Sequence, residues 1–244
     1  MSVETIDITQ ARAEENFLPG PVLLLGAPGV GKGTQAQILM AEFDVPQVST
    51  GDLLRANIQQ GTELGKTAKS LMDAGQLVPD DVVNGMVRDR LAQPDAVDGY
   101  ILDGYPRTLG QAEWLDGHLA SGSALTLDLV AVNIRVDHGE LLRRITGRRT
   151  CPTCKRIYNI YFHPPKVDGL CDFDGAALIQ RSDDTEEAFV ERMKAYDGQT
   201  QPVIEHYRSH GRFAEVDGTL PVDAVTGAIR TELQRLRSAG KQGA

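Results

Sequence analysis

A glycine-rich segment near the amino terminus carries the clearest chemical pattern in the chain. Residues 26–34 read Gly-Ala-Pro-Gly-Val-Gly-Lys-Gly-Thr, between an apolar run and a helix-forming stretch. Glycines let the backbone curl until several N–H groups face one anion, and the Lys32 ammonium and the start of a helix add positive charge. The spacing Gly-x4-Gly-Lys in this context predicts a phosphate cradle, although Gly33 stands where such loops usually place a hydroxyl that holds Mg²⁺.

Arginines recur at glycines, aspartates and loop boundaries along the chain. They are Arg55, Arg107, Arg148, Arg181 and Arg192. Guanidinium groups form paired hydrogen bonds to phosphate oxygens, so arginines that converge on one point would neutralise a phosphate chain. The alternative is a set of separate surface arginines, which are common in proteins. The net charge of −9 over 244 residues argues against a broad basic surface for nucleic acid, so a polyanion must meet a local basic cluster.

The three cysteines of the chain lie close together in sequence. Cys151 and Cys154 form a Cys-x2-Cys pair, and after 16 intervening residues Cys171 and Asp174 form a Cys-x2-Asp pair. Paired spacing of this kind predicts a closed tetrahedral zinc site that stabilises structure, with Asp174 as the fourth ligand. His163 is the weaker candidate for that position. An odd number of cysteines suits a reducing compartment better than a disulfide framework.

Apolar runs alternate with helix-forming stretches along most of the chain. This alternation is typical of β-α-β units and predicts an α/β fold whose parallel sheet has helices on both faces. The predicted strands are 21–26, 100–103, 127–136 and a strand near 212–216. The predicted helices are 34–43, 109–119, one that begins at Glu140, one from 184 to about 207, and 222–237.

Two segments interrupt the alternation. Residues 49–79 read as short helices separated by glycines, whereas residues 147–182 combine the cysteines with aromatic residues, prolines and glycines, which predicts a small β-rich flap held by metal.

The first 18 residues are polar and acidic without a signal-like apolar stretch, so we expect a disordered leader on a cytoplasmic protein. No apolar run approaches the length of a membrane span, and we expect no membrane partner.

The sequence of the cradle resembles the phosphate loop of nucleoside monophosphate kinases. Four further motifs follow in the order of that family and narrow the resemblance to adenylate kinases with a long, zinc-bearing lid. They are Ser-Thr-Gly-Asp-Leu-Leu-Arg at 49–55, Leu-Asp-Gly-Tyr-Pro-Arg at 102–107 with Gln111, Arg144-x3-Arg148-Arg149, and Arg-Ser-Asp-Asp-Thr-Glu-Glu at 181–187 with Arg192. Two positions differ, because Tyr105 stands where the family often has phenylalanine and Gly110 stands where proline is common.

The resemblance implies a three-layer P-loop α/β sandwich made of a core and two appendages. The core would comprise residues 19–48, 79–146 and 185–244. Residues 49–78 would form a helical insert that binds the nucleoside monophosphate, and residues 147–184 would form the β-rich zinc lid. Residues 1–18 would form the leader. Family members of this length are generally monomers.

The resemblance also implies the reaction and its residues. MgATP and AMP would give two ADP by direct in-line transfer as the lid closes. The catalytic residues would be Lys32, Asp103, Arg107, Arg148, Arg181 and Arg192, with Asp103 holding Mg²⁺ through water. The donor ATP would contact Gly29, Val30, Gly31, Lys32, Gly33, Thr34, Arg148, Ile157, Tyr158 and the carbonyl of Leu220. The acceptor AMP would contact Thr50, Arg55, Gln76, Leu77, Val78, Gly104, Tyr105, Pro106, Arg107, Gln111, Arg181 and Arg192, with Gln111 at the adenine edge.

Several alternatives stay open from the sequence. Asp183 and Asp184 either orient arginines at the hinge of the lid or cap the start of the next helix. The same fold could use GTP as donor or another monophosphate as acceptor. The rivals from other classes are a zinc-ribbon nucleic-acid binder and a nucleotide switch without turnover. Trp114 is expected to pack in the core, and the remaining histidines are expected to be surface or structural residues: His118, His138, His206 and His210.

Overall fold

The structure is a computed structural model that describes residues 19–121 and 128–240. The predicted leader, residues 1–18, lies outside the described residues, as does Leu127. The strands are β1 (Gly20–Leu25), β2 (Gln47–Ser49), β3 (Gly99–Asp103), β4 (Val130–Arg135), β5 (Arg148–Thr150), β6 (Ile157–Asn159) and β7 (Phe213–Asp217). The helices are α1 (Lys32–Phe43), α2 (Thr50–Gln60), α3 (Glu63–Asp73), α4 (Asp80–Leu91), α5 (Leu109–Ala120), α6 (His138–Thr146), α7 (Glu186–Ala195), α8 (Gln201–Ser209) and α9 (Val222–Gly240).

A parallel sheet of five strands forms the centre of the fold, in the order β2-β3-β1-β4-β7. Val22 of β1 pairs with Ile101 of β3 on one side and with Val130 of β4 on the other. These side chains are at most 1% exposed, as expected for strands whose two faces are both covered. Because the strands are parallel, all their carboxyl ends meet at one edge of the sheet.

Helices pack on both faces of this sheet and make three layers. Alternate residues of β1 enter two separate apolar clusters, because successive side chains of a strand point to opposite faces. Leu23 packs in the cluster that includes Leu115 of α5, whereas Leu24 packs in the cluster that includes Leu39 of α1 and Ile229 of α9. The predicted three-layer α/β class is confirmed. Within the described residues, no helix combines the length and the apolar character that crossing a membrane requires.

Two segments of the chain lie almost wholly outside the central sheet. Residues 49–78 contain α2 and α3, whose first turns are capped by the hydroxyls of Ser49 and Thr62. Residues 147–184, hereafter the lid, contain the antiparallel pair β5–β6 and additional bridges such as Thr150 with Ile179. The lid therefore has a short sheet of its own, separate from the central one.

The structure differs from the predicted elements in three places. The edge strand β2 (Gln47–Ser49) was not among the predicted strands. The helix expected from 184 to about 207 is helical without a break through α7 and α8, but it contains a π-helical turn at Tyr196–Thr200 between them. That turn contains Gly198, a residue with low helix propensity. The helix α4 was not identified from the sequence, although Pro79 followed by two aspartates is a helix-start signal.

Replacing Gly26 with alanine should destabilise the junction between β1 and the cradle. Gly26 has a φ of +135°, and an added Cβ would lie 2.4 Å from the backbone oxygen of Ile134. We expect Gly26→Ala to lower the free energy of unfolding by about 1–3 kcal/mol in urea denaturation. Gly139→Ala in α6 is the control, since its Cβ would meet no atom within 4 Å. Equal stability of Gly26→Ala and the wild type would contradict this account.

Candidate nucleotide site

The phosphate cradle lies between β1 and α1, at the carboxyl edge of the sheet. Gly29 and Gly31 have φ angles of +91° and +103°, in the region that favours glycine. Gly31 precedes the first turn of α1 and offers no side chain to cap it. The N–H groups at this helix start are therefore available to an anion, and the helix dipole favours one there.

Lys32 adds an adjustable charge to the cradle. Its ammonium donates hydrogen bonds to the backbone oxygens of Gly26 at 2.7 Å and Ala27 at 3.0 Å. Burial lowers the pKa of Lys32 to about 7. The negative charge of Asp103 opposes this shift, whereas the positive charges of Arg107, Arg192 and Arg148 lower the pKa further. A bound phosphate would favour the protonated form of Lys32.

The arginines predicted from separate motifs converge on this region. Arg107 and Arg192 line a cavity together with Lys32, and Arg55 and Arg181 line the neighbouring cavity that reaches Gly33 and Asp103. Arg148 acts electrostatically on Lys32, Arg181 and Arg192. Burial and the charge of Arg148 and Arg55 lower the pKa of Arg181 to about 9. The structure therefore brings the predicted cationic groups together.

Carboxylates orient some of these arginines. Arg148 donates through two nitrogens to Asp184, one of them at 3.0 Å, and the side chain of Asp184 is completely buried. Arg192 donates to Asp183 at 2.9 Å. The helix-cap alternative for these aspartates is wrong, because the hydroxyl of Thr185 caps α7 by accepting from the N–H of Ala188.

Other cationic groups have no such partner. Within the described residues, Arg107 and Arg181 form no ion pair, and Arg107 instead donates to the backbone oxygen of Gly104 at 2.7 Å. Burial lowers the pKa of Arg107, and Asp103 opposes that effect. This incompletely compensated positive charge is suited to a polyanionic ligand.

Nine of the twelve predicted acceptor residues line a third cavity beside the cradle, hereafter the insert cavity. Thr50 donates to the backbone oxygen of Gly104 at 2.8 Å, which links the helical insert to the end of β3. The residues that line this cavity include Thr50, Arg55, Gln76, Leu77, Val78, Gly104, Arg107, Gln111 and Arg192. Tyr105 and Pro106 line the adjoining cavity with Lys32.

Asp80 is a residue that the sequence analysis missed. It accepts hydrogen bonds from Gln111 Nε2 at 2.7 Å and from the hydroxyl of Thr108 at 2.6 Å. Gln111 Oε1 accepts from the N–H of Arg107 at 2.8 Å. A carboxylate only accepts and an amide N–H only donates, so these two partners determine which way the Gln111 amide faces. Asp80 lies in the first turn of α4, so a sequence-based prediction of that helix would have pointed to this residue.

Tyr105, one of the two positions that depart from the family pattern, uses its hydroxyl in the same region. The ring is buried, and the hydroxyl donates to Asn84 Oδ1 at 2.6 Å. The same hydroxyl lies 3.3 Å from the backbone oxygen of Gln111. The polar atom that phenylalanine would lack is therefore satisfied by a residue of α4.

The predicted donor residues are placed less uniformly. Ile157 lines the cavity with Gly29, Gly31 and Gly33, and its Cδ1 lies 3.2 Å from the position of a Cβ on Gly33. Val30 is buried in an apolar cluster, and Thr34 lies in the first turn of α1. The ring of Tyr158 is instead buried in the lid, with its hydroxyl 3.4 Å from Cys171 Sγ. Leu220 is 46% exposed before α9.

The four predicted metal ligands of the lid form one cluster. One ligand atom each from Cys151, Cys154, Cys171 and Asp174 lies within 4.8 Å of all the others. Cys154 Sγ and Cys171 Sγ are 3.5 Å apart, and Cys151 Sγ lies 3.3 Å from Asp174 Oδ2. His163 does not belong to this cluster and stacks on the ring of Tyr158.

A phosphate cradle at the carboxyl edge of a parallel sheet, faced by converging arginines, defines a P-loop nucleotide kinase. The sequence matches the family model for adenylate kinase over residues 24–212. It is 49% identical to an adenylate kinase of Thermodesulfovibrio yellowstonii over 214 residues, which are 88% of this chain and 99% of that protein. It is 50% identical to an adenylate kinase of Clostridium botulinum over 214 residues, 88% of this chain and 98% of that one. The chain belongs to the adenylate kinase family and is a phosphotransferase.

Binding of MgATP should load a proton onto Lys32. At pH 8 a lysine with a pKa of about 7 is mostly neutral, and phosphate beside it restores the charge. We expect uptake of about one proton per bound nucleotide, measured by calorimetry in buffers of different ionisation enthalpy. Lys32→Arg, whose side chain stays charged, should bind without this uptake. Equal uptake by both proteins would contradict the assignment.

Proposed function

We propose that the chain transfers the terminal phosphoryl group of MgATP to AMP, reversibly and directly, to give two ADP as the lid closes. One observation carries the proposal: Arg107 and Arg192 line both the cavity that contains Lys32 and the insert cavity, so two guanidinium groups stand at the junction of these two cavities. Transfer between two nucleotides requires positive charge at that junction, because the migrating phosphoryl group passes between them.

The donor phosphates would lie in the cradle. The N–H groups at the start of α1 and the Lys32 ammonium would hold their oxygens. Asp103 ends β3 beside the cradle, and its Oδ2 lies 3.4 Å from the position of a Cβ on Gly33. A carboxylate there is the type of oxygen ligand that Mg²⁺ prefers, and it stands next to the position that lacks the usual hydroxyl. Mg²⁺ bound with ATP would neutralise phosphate charge.

The acceptor AMP would occupy the insert cavity, with its phosphate toward Arg55 and Arg107. Arg148 and Arg192, held by Asp184 and Asp183, would present planar guanidinium groups to the transferred phosphoryl. Fixing both reactants in line and neutralising the charge between them supplies most of the rate in phosphoryl transfer. Closure of the lid would exclude water, which is the competing acceptor.

Gln111 would select the acceptor base. Its orientation leaves one N–H of the amide nitrogen and one lone pair of the amide oxygen beyond the bonds to Asp80 and Arg107. Adenine presents a ring-nitrogen acceptor beside an amino donor, which matches that pair. Guanine presents a ring N–H donor beside a carbonyl acceptor and would require the amide to turn over.

The lid cluster would hold a structural Zn²⁺. Three thiolates and one carboxylate are ligands that tetrahedral zinc accepts, and all four come from the protein, so no position is left for chemistry. The lid buries only a small apolar cluster around Cys151, Tyr158 and Cys171. A segment with so little core gains most of its stability from a metal. The monomeric state remains a prediction from the resemblance.

Arg148→Ala should remove transition-state stabilisation. By comparison with arginines that neutralise charge in other phosphoryl transfers, we expect kcat to fall by about 10³–10⁵, equivalent to about 4–7 kcal/mol. The measurement is AMP-dependent ADP formation from ATP. In the wild type, GTP as donor and other monophosphates as acceptor are compared in the same assay. Arg156→Ala is the control, because this lid arginine is exposed and lies over Phe173. A loss smaller than tenfold would count against the role of Arg148.

Asp80→Asn should weaken discrimination between AMP and GMP. Asparagine can donate as well as accept, so it no longer dictates the orientation of the Gln111 amide. We expect KM for AMP to rise about tenfold with kcat nearly unchanged, and the ratio of kcat/KM for AMP over GMP to fall. Asp81→Asn, the exposed neighbour, is the matched control. Unchanged selectivity in Asp80→Asn would refute the positioning role.

Removal of the lid metal should lower the thermal stability of the protein more than it lowers the rate of phosphoryl transfer. We expect chelation to lower Tm by at least about 5 °C, whereas phosphoryl transfer persists at low temperature. Calorimetry and elemental analysis of the same sample provide the measurement, and metal readdition is the control. Full thermal stability in metal-free protein would show that the cluster does not depend on an ion.

A further inference from the structure

In the described part of the chain, a second cluster of metal-ligating side chains joins two core helices. It comprises Asp116 of α5 with His206 and His210 at the end of α8, and one ligand atom from each lies within 4.8 Å of the others. His206 lies in α8, His210 directly follows the last residue of that helix, and the centroids of their rings are 4.6 Å apart. Asp116 is 90 residues from His206 in sequence, and helix packing brings it there. None of these residues belongs to the proposed nucleotide or lid sites.

Hydrogen bonds already orient both imidazole rings. His206 Nε2 lies 2.6 Å from Asp116 Oδ2, and His210 Nδ1 lies 2.6 Å from the backbone oxygen of His206. A carbonyl oxygen only accepts, so His210 carries a proton on Nδ1, and the Nε2 lone pair of the neutral ring can bind a metal. His210 therefore has the arrangement that is usual for metal-ligating histidines, in which the second ring nitrogen donates to a carbonyl oxygen.

The second oxygen of the Asp116 carboxylate also accepts a hydrogen bond. The hydroxyl of Tyr207 donates to Asp116 Oδ1 at 3.4 Å, on the opposite oxygen from the one that faces His206. The side chains of Asp116 and His206 are 38% and 17% exposed, so the cluster is accessible to an ion from solvent yet not freely mobile. This partial burial reduces the entropy lost when the side chains close around an ion.

The spacing and donor chemistry fit one class of ion. Metal–nitrogen and metal–oxygen distances of about 2.0–2.2 Å place ligand atoms about 3–4 Å apart, which small side-chain rotations achieve from the present separations. Two imidazoles and a carboxylate suit Zn²⁺, Ni²⁺ or Cu²⁺, whereas Mg²⁺ and Ca²⁺ prefer oxygen ligands. The last carbonyls of α8 add partial negative charge, which favours a cation at this helix end.

We propose that Asp116, His206 and His210 form a second metal site that binds one late first-row divalent cation. Three protein ligands leave the other coordination positions to water, so this ion exchanges more readily than one held by the lid cluster. The bound ion links α5 to α8. These helices flank Arg107, since α5 begins at Leu109 and Thr200, just before α8, donates to the backbone oxygen of Arg107 at 2.9 Å.

Nickel titration of the full-length, zinc-loaded protein tests the site. Calorimetry measures the stoichiometry and affinity, and near-ultraviolet absorption reports nickel–thiolate bonds if nickel enters the lid. The test variants are His210→Ala and Asp116→Asn. His138→Ala, which removes an exposed histidine at the start of α6, is the matched control.

The wild type and His138→Ala should each bind about one Ni²⁺ without a thiolate band and gain about 5–10 °C in Tm when nickel is about 100 times its Kd. Both ligand variants should bind nickel at least about tenfold more weakly, while their Tm without nickel stays near that of the wild type. His210 is exposed, so its replacement should leave the fold intact. The proposal is overturned if nickel binds only with a thiolate band, or if all four proteins bind it equally.

Discussion

The concentration of buried positive charge at one edge of the sheet governs the rest of this structure. Burial opposes each of these charges, and it lowers the pKa of Lys32 to about 7 and that of Arg192 to about 10. Asp183 and Asp184 compensate two of the arginines, whereas Arg107 and Arg181 lack such a partner among the described residues. A folded state with this arrangement is less stable alone than with a polyanion bound, which couples ligand binding to order in the site.

The parallel sheet supplies the rigidity that such a site requires. The cradle follows β1, and Asp103 ends the adjacent β3, so their separation is set by strand pairing between Leu24 and Asp103. Loops after neighbouring parallel strands lie together without any contact of their own to hold them. The helical insert adds Arg55 to this region, and the lid adds Arg148 and Arg181.

Polar side chains add directional contacts to the apolar packing in two parts of the molecule. Beside the insert cavity, Asp80 connects the starts of α4 and α5 and orients Gln111. In the lid, Cys151, Cys154, Cys171 and Asp174 are close enough to share an ion. Such contacts are directional, so they specify orientation where apolar packing alone would allow several arrangements.

Local patterns in the sequence determined the cradle, the alternation of strands and helices, and the spacing of the metal ligands. These features depend on residues that are close in sequence, such as Gly31 and Lys32. Only the tertiary structure decided that Arg148 pairs with Asp184 and that Asp80 orients Gln111. The partners in these pairs lie 36 and 31 residues apart. Their meeting depends on how the two ends of the lid come together and on how α4 packs against α5, a geometry that hydrophobic periodicity does not encode.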